Sequence, residues 1–323
     1  MNFLDRRTKK DFMNEAIYWL TRPWVVVFAI TFLLTPCSKI AEALDSGADF
    51  LNIGVGARPS AMGSAFTAVS NDANSIYYNP AGLAAMQKRE VSFMHADWVL
   101  GEKYDFAAMA IPFGKVSAGI SAAKMDHGEI QGRSSNRSSL GGFEARDSVF
   151  SIALAQTVGN ASSIGLGLKY LTSSIADYSA SAFAFDAGFL HKIDGMPVSV
   201  GIAVQNMGKG LKFINRRDSL PLSVKFGAAA RVFKSVNLAV DFKRLINEKE
   251  NSFSIGTEYN LLGNMFLRGG YNAKILNAHD ASENLSGISG GVGFNLSNLQ
   301  IDYAFSPFGD IDTTKKLSLS MKF

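Results

Sequence analysis

The sequence predicts an all-β fold: a 14-stranded antiparallel transmembrane β-barrel preceded by an N-terminal segment of different character. Three observations carry this. From residue 90 onward, runs with large apolar residues at every second position alternate with turn clusters, as in "PVSVGIAVQ", where Val198, Val200, Ile202 and Val204 face one way and Ser199, Gly201, Ala203 and Gln205 the other. The runs number fourteen, an even count. Their connections alternate between tight and long, which is how a barrel with short turns on one membrane face and loops on the other is built.

The strands are expected near 90–99, 102–113, 115–125, 146–158, 161–173, 181–191, 197–206, 219–232, 235–246, 251–261, 265–275, 285–296, 299–307 and 312–323. Each strand with its connection averages about 17 residues, against the roughly 9 to 11 that span a bilayer as tilted strand. Tight turns fall at 113–115, 159–161, 194–196, 233–235, 262–264 and 297–298, and longer connections at 126–145, 207–218 and 274–284, with shorter ones at 174–180, 247–250 and 308–311. Within the first of these, "RSSNRSSLGG" (133–142) reads as a polar surface loop. The polar face of the strands carries Lys169, Asp186, Lys225, Asp241, Lys243, Glu258, Arg268 and Asp302, so the lumen is expected to be polar with its charges balanced. A bilayer demands closure, because no water is present to satisfy an unpaired sheet edge.

Composition agrees. The chain has 24 Phe and 30 Gly with only 19% charged residues, below the roughly 25% of ordinary soluble domains. The formal charge of +4 is dispersed, with no basic block after the N-terminal region, which argues against a nucleic-acid partner.

Three regions are expected: a signal peptide (1–43), the hatch segment (44–89) and the barrel (90–323). Residues 23–34, "PWVVVFAITFLL", follow Arg6, Arg7, Lys9, Lys10 and Arg22 and have the length of a secretory apolar region rather than a membrane span. Ala41-Glu42-Ala43 offers a cleavage site before Leu44, and Met13 is an alternative start. Cys37, the single cysteine, suggests a rival reading as a lipoprotein acceptor, which Pro36 disfavours. Cleavage after Ala43 leaves a chain without thiol or disulfide.

Motifs for chemistry are set aside one by one. "GVGARPSAMG" (54–63) lacks the spacing of a dinucleotide loop. His95, His127, His191 and His279 lie far apart without metal-ligand spacing, and no Gly-x-Ser-x-Gly elbow occurs. No catalytic, metal or cofactor site is assigned, and the expectation is a non-enzyme.

The segment 50–84, "FLNIGVGARPSAMGSAFTAVSNDANSIYYNPAGLA", carries a specific combination: Gly56-Ala57-Arg58, Ala61-Met62-Gly63, Ala65-Phe66, Ala68-Val69, Asp72-Ala73 and Asn79-Pro80-Ala81-Gly82-Leu83. In this it resembles the FadL-like outer-membrane barrels, and more closely their PorV/PorQ branch. The resemblance implies a fourteen-stranded barrel with the N-terminal segment 44–89 folded inside it as a hatch (plug), located in the bacterial outer membrane among its lipids. It also implies one of two functions: passage of hydrophobic small molecules (long-chain fatty acids or aromatic hydrocarbons), or a PorV-like role in type IX secretion, binding secreted protein cargo. The hatch motif residues, structural or gating, are Gly56, Arg58, Met62, Gly63, Phe66, Asp72, Asn79, Pro80, Ala81 and Gly82. Physically, Asn79 suits a helix N-cap and Pro80 the first helical position, while Tyr77 and Tyr78 suit bracing against the wall. The C-terminal "KKLSLSMKF" puts Leu317, Leu319, Met321 and terminal Phe323 on one face and resembles the signal read by the barrel assembly machinery.

Overall fold

The computed structural model describes residues 46–133, 136, 139–275, 287–308 and 312–323. The expected signal peptide and its cleavage site lie outside the described residues, as do most of the connections 274–284 and 308–311. Among the described residues the strands are β1 (Glu90–Asp97), β2 (Lys103–Phe113), β3 (Val116–Arg133), β4 (Ser139–Val158), β5 (Ser162–Ile175), β6 (Tyr178–Lys192), β7 (Val198–Gly208), β8 (Leu211–Phe213), β9 (Arg216–Asp218), β10 (Ser223–Val232), β11 (Val236–Leu245), β12 (Asn251–Asn260), β13 (Met265–Ile275), β14 (Ile288–Leu296), β15 (Leu299–Phe308) and β16 (Asp312–Lys322).

Fourteen of these close into an antiparallel transmembrane barrel in sequence order, with β8 and β9 set apart as a small hairpin between β7 and β10. The barrel closes where β1 pairs with β16, from Glu90 opposite Lys322 to Asp97 opposite Lys315. Below that register Arg89 N–H donates to the Phe323 carbonyl at 3.1 Å and Phe323 N–H returns a bond to Arg89 at 3.0 Å. The barrel itself has no open strand edge, as hydrocarbon surroundings require.

Side chains are arranged inside out relative to a soluble sandwich. On β5, Ile164, Leu166, Leu168 and Tyr170 point outward, Leu166 being 68% exposed, while the intervening Lys169 is 4% exposed. Outward apolar side chains meet lipid and need no protein cover, whereas an inward lysine needs a partner. It has one: Lys169 lies 2.7 Å from Asp186 on β6.

The structure corrects two connections. The 126–145 stretch is mostly strand, because β3 runs on to Arg133 and β4 starts at Ser139, with irregular register between Asp126 and Glu129. The 207–218 stretch holds the β8–β9 hairpin, whose Leu211 is buried. The extensions of β3 and β4 lack the apolar alternation that marks a spanning strand, and the three-residue strands of the hairpin are too short to show a period.

Candidate functional site

Residues 46–89 fold inside the barrel as short turns: a 3-10 turn at Asp49–Asn52, a helical turn at Ala57–Ala61, another at Ser75–Tyr78 and a 3-10 turn at Pro80–Ala85. No run of regular structure is long enough to supply its own core, so wall side chains hold the segment.

Arg58 is the centre of that hold. Its guanidinium meets Glu258 on β12 through two nitrogens, at 2.8 and 3.1 Å, and reaches Asp72 at 3.0 Å and Asn71 at 2.8 Å. Glu258 also accepts from Arg268 at 2.8 Å, and Arg268 donates to Asp302 at 2.7 Å. Two cations thus alternate with buried carboxylates, Arg58 and Asp72 from the segment and Glu258, Arg268 and Asp302 from β12, β13 and β15. Burial works against charge on Arg58, but Glu258 and Asp72 outweigh it and raise its pKa. The planar fork suits this geometry in a way an ammonium does not.

Around this centre, wall side chains satisfy segment backbone groups that local structure leaves open. Ala57 N–H donates to Ser318 at 2.8 Å, Gly63 N–H to Ser289 at 3.0 Å, and Phe66 and Thr67 N–H to one oxygen of Asp241 at 3.0 and 2.9 Å. Ser163 donates to the Ala81 carbonyl at 3.0 Å, Ser199 to Ala68 at 2.9 Å, and Gln205 to Tyr77 and Tyr78. Gly56 N–H points at the Met94 sulfur at 3.0 Å.

Asn79 occupies the cap position. Its side-chain oxygen accepts from Ala81 N–H at 3.1 Å with Pro80 at the first position, but the turn that follows is 3-10 rather than α. Its amide donates to the Thr67 carbonyl at 2.9 Å and to Phe189 of β6 at 3.1 Å, so one side chain caps the turn, ties the segment to itself and ties it to the wall. Gly82 packs on Ser70, where a Cβ would come within 2.6 Å of the Ser70 carbonyl oxygen. Met62 and Phe66 are fully buried, Phe66 meeting the Tyr78 ring edge-on at 5.2 Å.

The tyrosines brace the segment rather than the wall. Tyr77 donates to the Leu51 carbonyl at 2.8 Å and Tyr78 to Val55 at 3.1 Å, while Lys225 of β10 lies 5.5 and 5.4 Å from their ring centres. Burial raises both phenol pKa values, so they act as neutral donors.

Sequence reading missed the wall side of this fit. Gly63 takes φ +62° with its Cα against the Tyr271 backbone. A Cβ on Gly270 would sit 2.1 Å from Gly63 N, and one on Gly165 would sit 2.3 Å from Ala81 N. The available signal was glycine at inward positions of strands, where a side chain ordinarily fills the lumen.

The lumen has two unlike sectors. Toward β2–β6, Phe50, Leu51, Tyr104, Phe106, Met125 and Leu171 form one apolar cluster, joined by Leu211 and Leu220 from around the hairpin. Toward β10–β16 lies a cavity of about 630 Å³, bounded by Tyr77, Tyr78 and Trp98 and by polar wall residues. Leu317, Leu319, Met321 and Phe323 all lie on the outer face, between 42% and 49% exposed.

The family model described as "Uncharacterised protein family (UPF0164)" matches residues 46–158, the luminal segment and the first four strands. No curated protein matches the chain in sequence. Among solved structures the chain is similar to the CymD monoaromatic hydrocarbon channel, with TM-score 0.62 and 14% identity over 84% of this chain and 98% of that one. It is similar to the Ralstonia pickettii toluene transporter TbuX, with TM-score 0.63 and 14% identity over 84% and 98%. A Pseudomonas aeruginosa FadL homologue follows, with TM-score 0.55 and 12% identity over 80% and 95%. At these identities the likeness is one of fold: the chain has the transmembrane barrel architecture of FadL-type channels.

Proposed function

We propose that the protein is an outer-membrane channel of the FadL-like type in a Gram-negative bacterium, admitting hydrophobic small molecules, with residues 44–89 as its hatch and no chemical step. The observation that carries this reading is the apolar sector beside β2–β6, where Phe50 and Leu51 of the segment meet Tyr104, Phe106 and Met125 of the wall. These side chains are buried against one another, so a long-chain fatty acid or an aromatic hydrocarbon reaches them by displacing the segment, and then gains roughly 25 cal/mol for each Å² of apolar area it keeps from water. In this reading Leu317, Leu319, Met321 and Phe323 serve as the signal for the barrel assembly machinery. The test is uptake of labelled fatty acid and toluene by cells with and without the gene. Uptake unchanged for both ends the reading.

A PorV-like secretion role is favoured by a different observation. Hydrogen bonds join the segment to β1, β5, β6, β7, β11, β12, β14 and β16, which suits a fixed plug in a barrel that works by binding protein at its mouth. Co-purification with exported proteins sharing a C-terminal domain is the expected result, and their absence from the genome removes this alternative.

A further inference from the structure

The cavity on the β10–β16 side has the wrong chemistry for the ligands just proposed. Its volume of about 630 Å³ falls in the range of small-molecule sites. Ten of its lining residues are Ser, Thr or Asn and seven are charged, beside apolar surface from Ile53, Leu245, Ala304, Phe305 and the rings of Tyr77, Tyr78 and Trp98. A hydrocarbon there would strip water from hydroxyl and amide groups and return no hydrogen bonds.

An anionic amphiphile fares little better. The cavity holds Lys225, Lys243 and Lys316 against Asp49, Asp241, Glu248 and Glu250, so carboxylates outnumber ammonium groups. The ammonium groups are also engaged. Lys243 donates to Asn52 at 2.7 Å, Lys316 to Ser60 at 3.0 Å and to the Gly54 carbonyl, and Lys225 sits over Tyr77 and Tyr78.

What the lining does offer is mixed donor and acceptor capacity, with one carboxylate more than the ammonium groups balance. Serine hydroxyls rotate to give or take a hydrogen bond. Both carboxylate oxygens of Glu248 are buried with no protein donor, and a buried acceptor of that kind calls for a partner that is not protein. Trp98, whose ring has Lys316 5.2 Å from its centre, supplies a flat apolar wall to the same space.

We infer that this cavity is a binding site for a neutral polyhydroxylated solute, of one or two sugar rings, hydrogen-bonded by the serine-rich wall and Glu248 and packed on Trp98. Each hydroxyl both donates and accepts, which matches the mixed lining, and the C–H faces of a sugar ring match an indole. The site goes beyond the hydrophobic reading, adding a second ligand class on the opposite side of the lumen.

Trp98 reports on the cavity directly. The other tryptophans are Trp19 and Trp24, so the full chain carrying Trp19→Phe and Trp24→Phe keeps one fluorophore. Folded in a detergent without a sugar head group, this chain is titrated with sucrose, and separately with dodecanoate and toluene. The expected result is a saturable change in Trp98 emission with sucrose, competed by glucose and weakened about tenfold by Glu248→Ala. Ser252→Leu, which puts an apolar side chain into the cavity, should abolish it. Heat-modifiable migration verifies that each variant is folded. A response to sucrose that does not saturate, or that Ser252→Leu leaves intact, overturns the assignment. So does a saturable Trp98 response to dodecanoate or toluene that sucrose does not compete. Cellular uptake of hydrocarbon, measured alongside, bears on the channel reading alone, so failure of either is told from failure of the other.

Discussion

Removing Arg58 tests whether the luminal segment is held electrostatically. Breaking one partner out of a buried ion pair costs roughly 3–5 kcal/mol, because the charge left behind has lost its compensation. Here Glu258 keeps Arg268 at 2.8 Å and Asn237 at 3.0 Å, so Arg58→Ala belongs at the low end, about 3 kcal/mol. The barrel ladder is untouched, so the loss falls on local opening of residues 46–89 rather than on global unfolding. At 1.4 kcal/mol per factor of ten, the open population rises about 100-fold.

Hydrogen exchange reads this with built-in reporters. The amides of Ala57, Gly63, Phe66 and Thr67 donate to wall side chains and should exchange about 100-fold faster in Arg58→Ala, with the amides of β11 unchanged. Arg58→Lys keeps the charge, loses the two-pronged contact and should fall between. In a double-mutant cycle with Glu258→Ala, the combined effect should be smaller than the sum of the single ones. Exchange of the four amides at the wild-type rate, or equal acceleration of segment and barrel, would refute the reasoning.

Three further perturbations separate the other holds. Asn79→Ala removes a cap worth about 1 kcal/mol and strands the Thr67 and Phe189 carbonyls, for a total of about 2–3 kcal/mol; the check is faster exchange at Ala81, and Asn79→Asp should recover the cap alone. Gly270→Val should eject the segment while leaving the barrel heat-modifiable, so that chymotrypsin now cuts after Phe66, which is fully buried in the wild type, whereas Gly269→Ala on the outer face, where the nearest atom to a Cβ is 3.8 Å away, should leave cleavage as in wild type. Deleting Phe323 removes both hydrogen bonds to Arg89 and the last outward aromatic; the folded, heat-modifiable fraction in cells should fall, and an undiminished fraction would count against the C-terminal signal.

The barrel was legible because lipid imposes a period-two code on each spanning strand independently of every other strand. "LQIDYAF" shows Leu299, Ile301, Tyr303 and Phe305 facing one way whether or not β14 and β16 are known. The same code made the inward charges visible, and Lys169, Asp186, Glu258, Arg268 and Asp302 are buried and paired. It fell silent in the outer parts of β3 and β4, where exposure does not alternate, and in the β8–β9 hairpin, whose strands of three residues are too short to show a period.

The luminal segment is a different problem, because its fold is written in two places. Asn79 and Pro80 announce their own turn locally, but Phe66 and Thr67 depend on Asp241, and Arg58 on Glu258, far along the chain. No periodicity links such pairs. Wall glycines carry the rest: Gly165 receives Pro80 and Ala81, Gly188 receives Asn79, Gly201 receives Thr67, Gly256 receives Met62 and Gly270 receives Gly63. Each is a position where a barrel without a plug would gain from an inward side chain, since glycine weakens a strand and leaves the lumen empty. The cost is recovered only when segment backbone fills the space. The barrel sequence therefore presupposes the segment, and an assembled barrel from which residues 46–89 are deleted should be less stable than the whole chain even though every ladder bond remains.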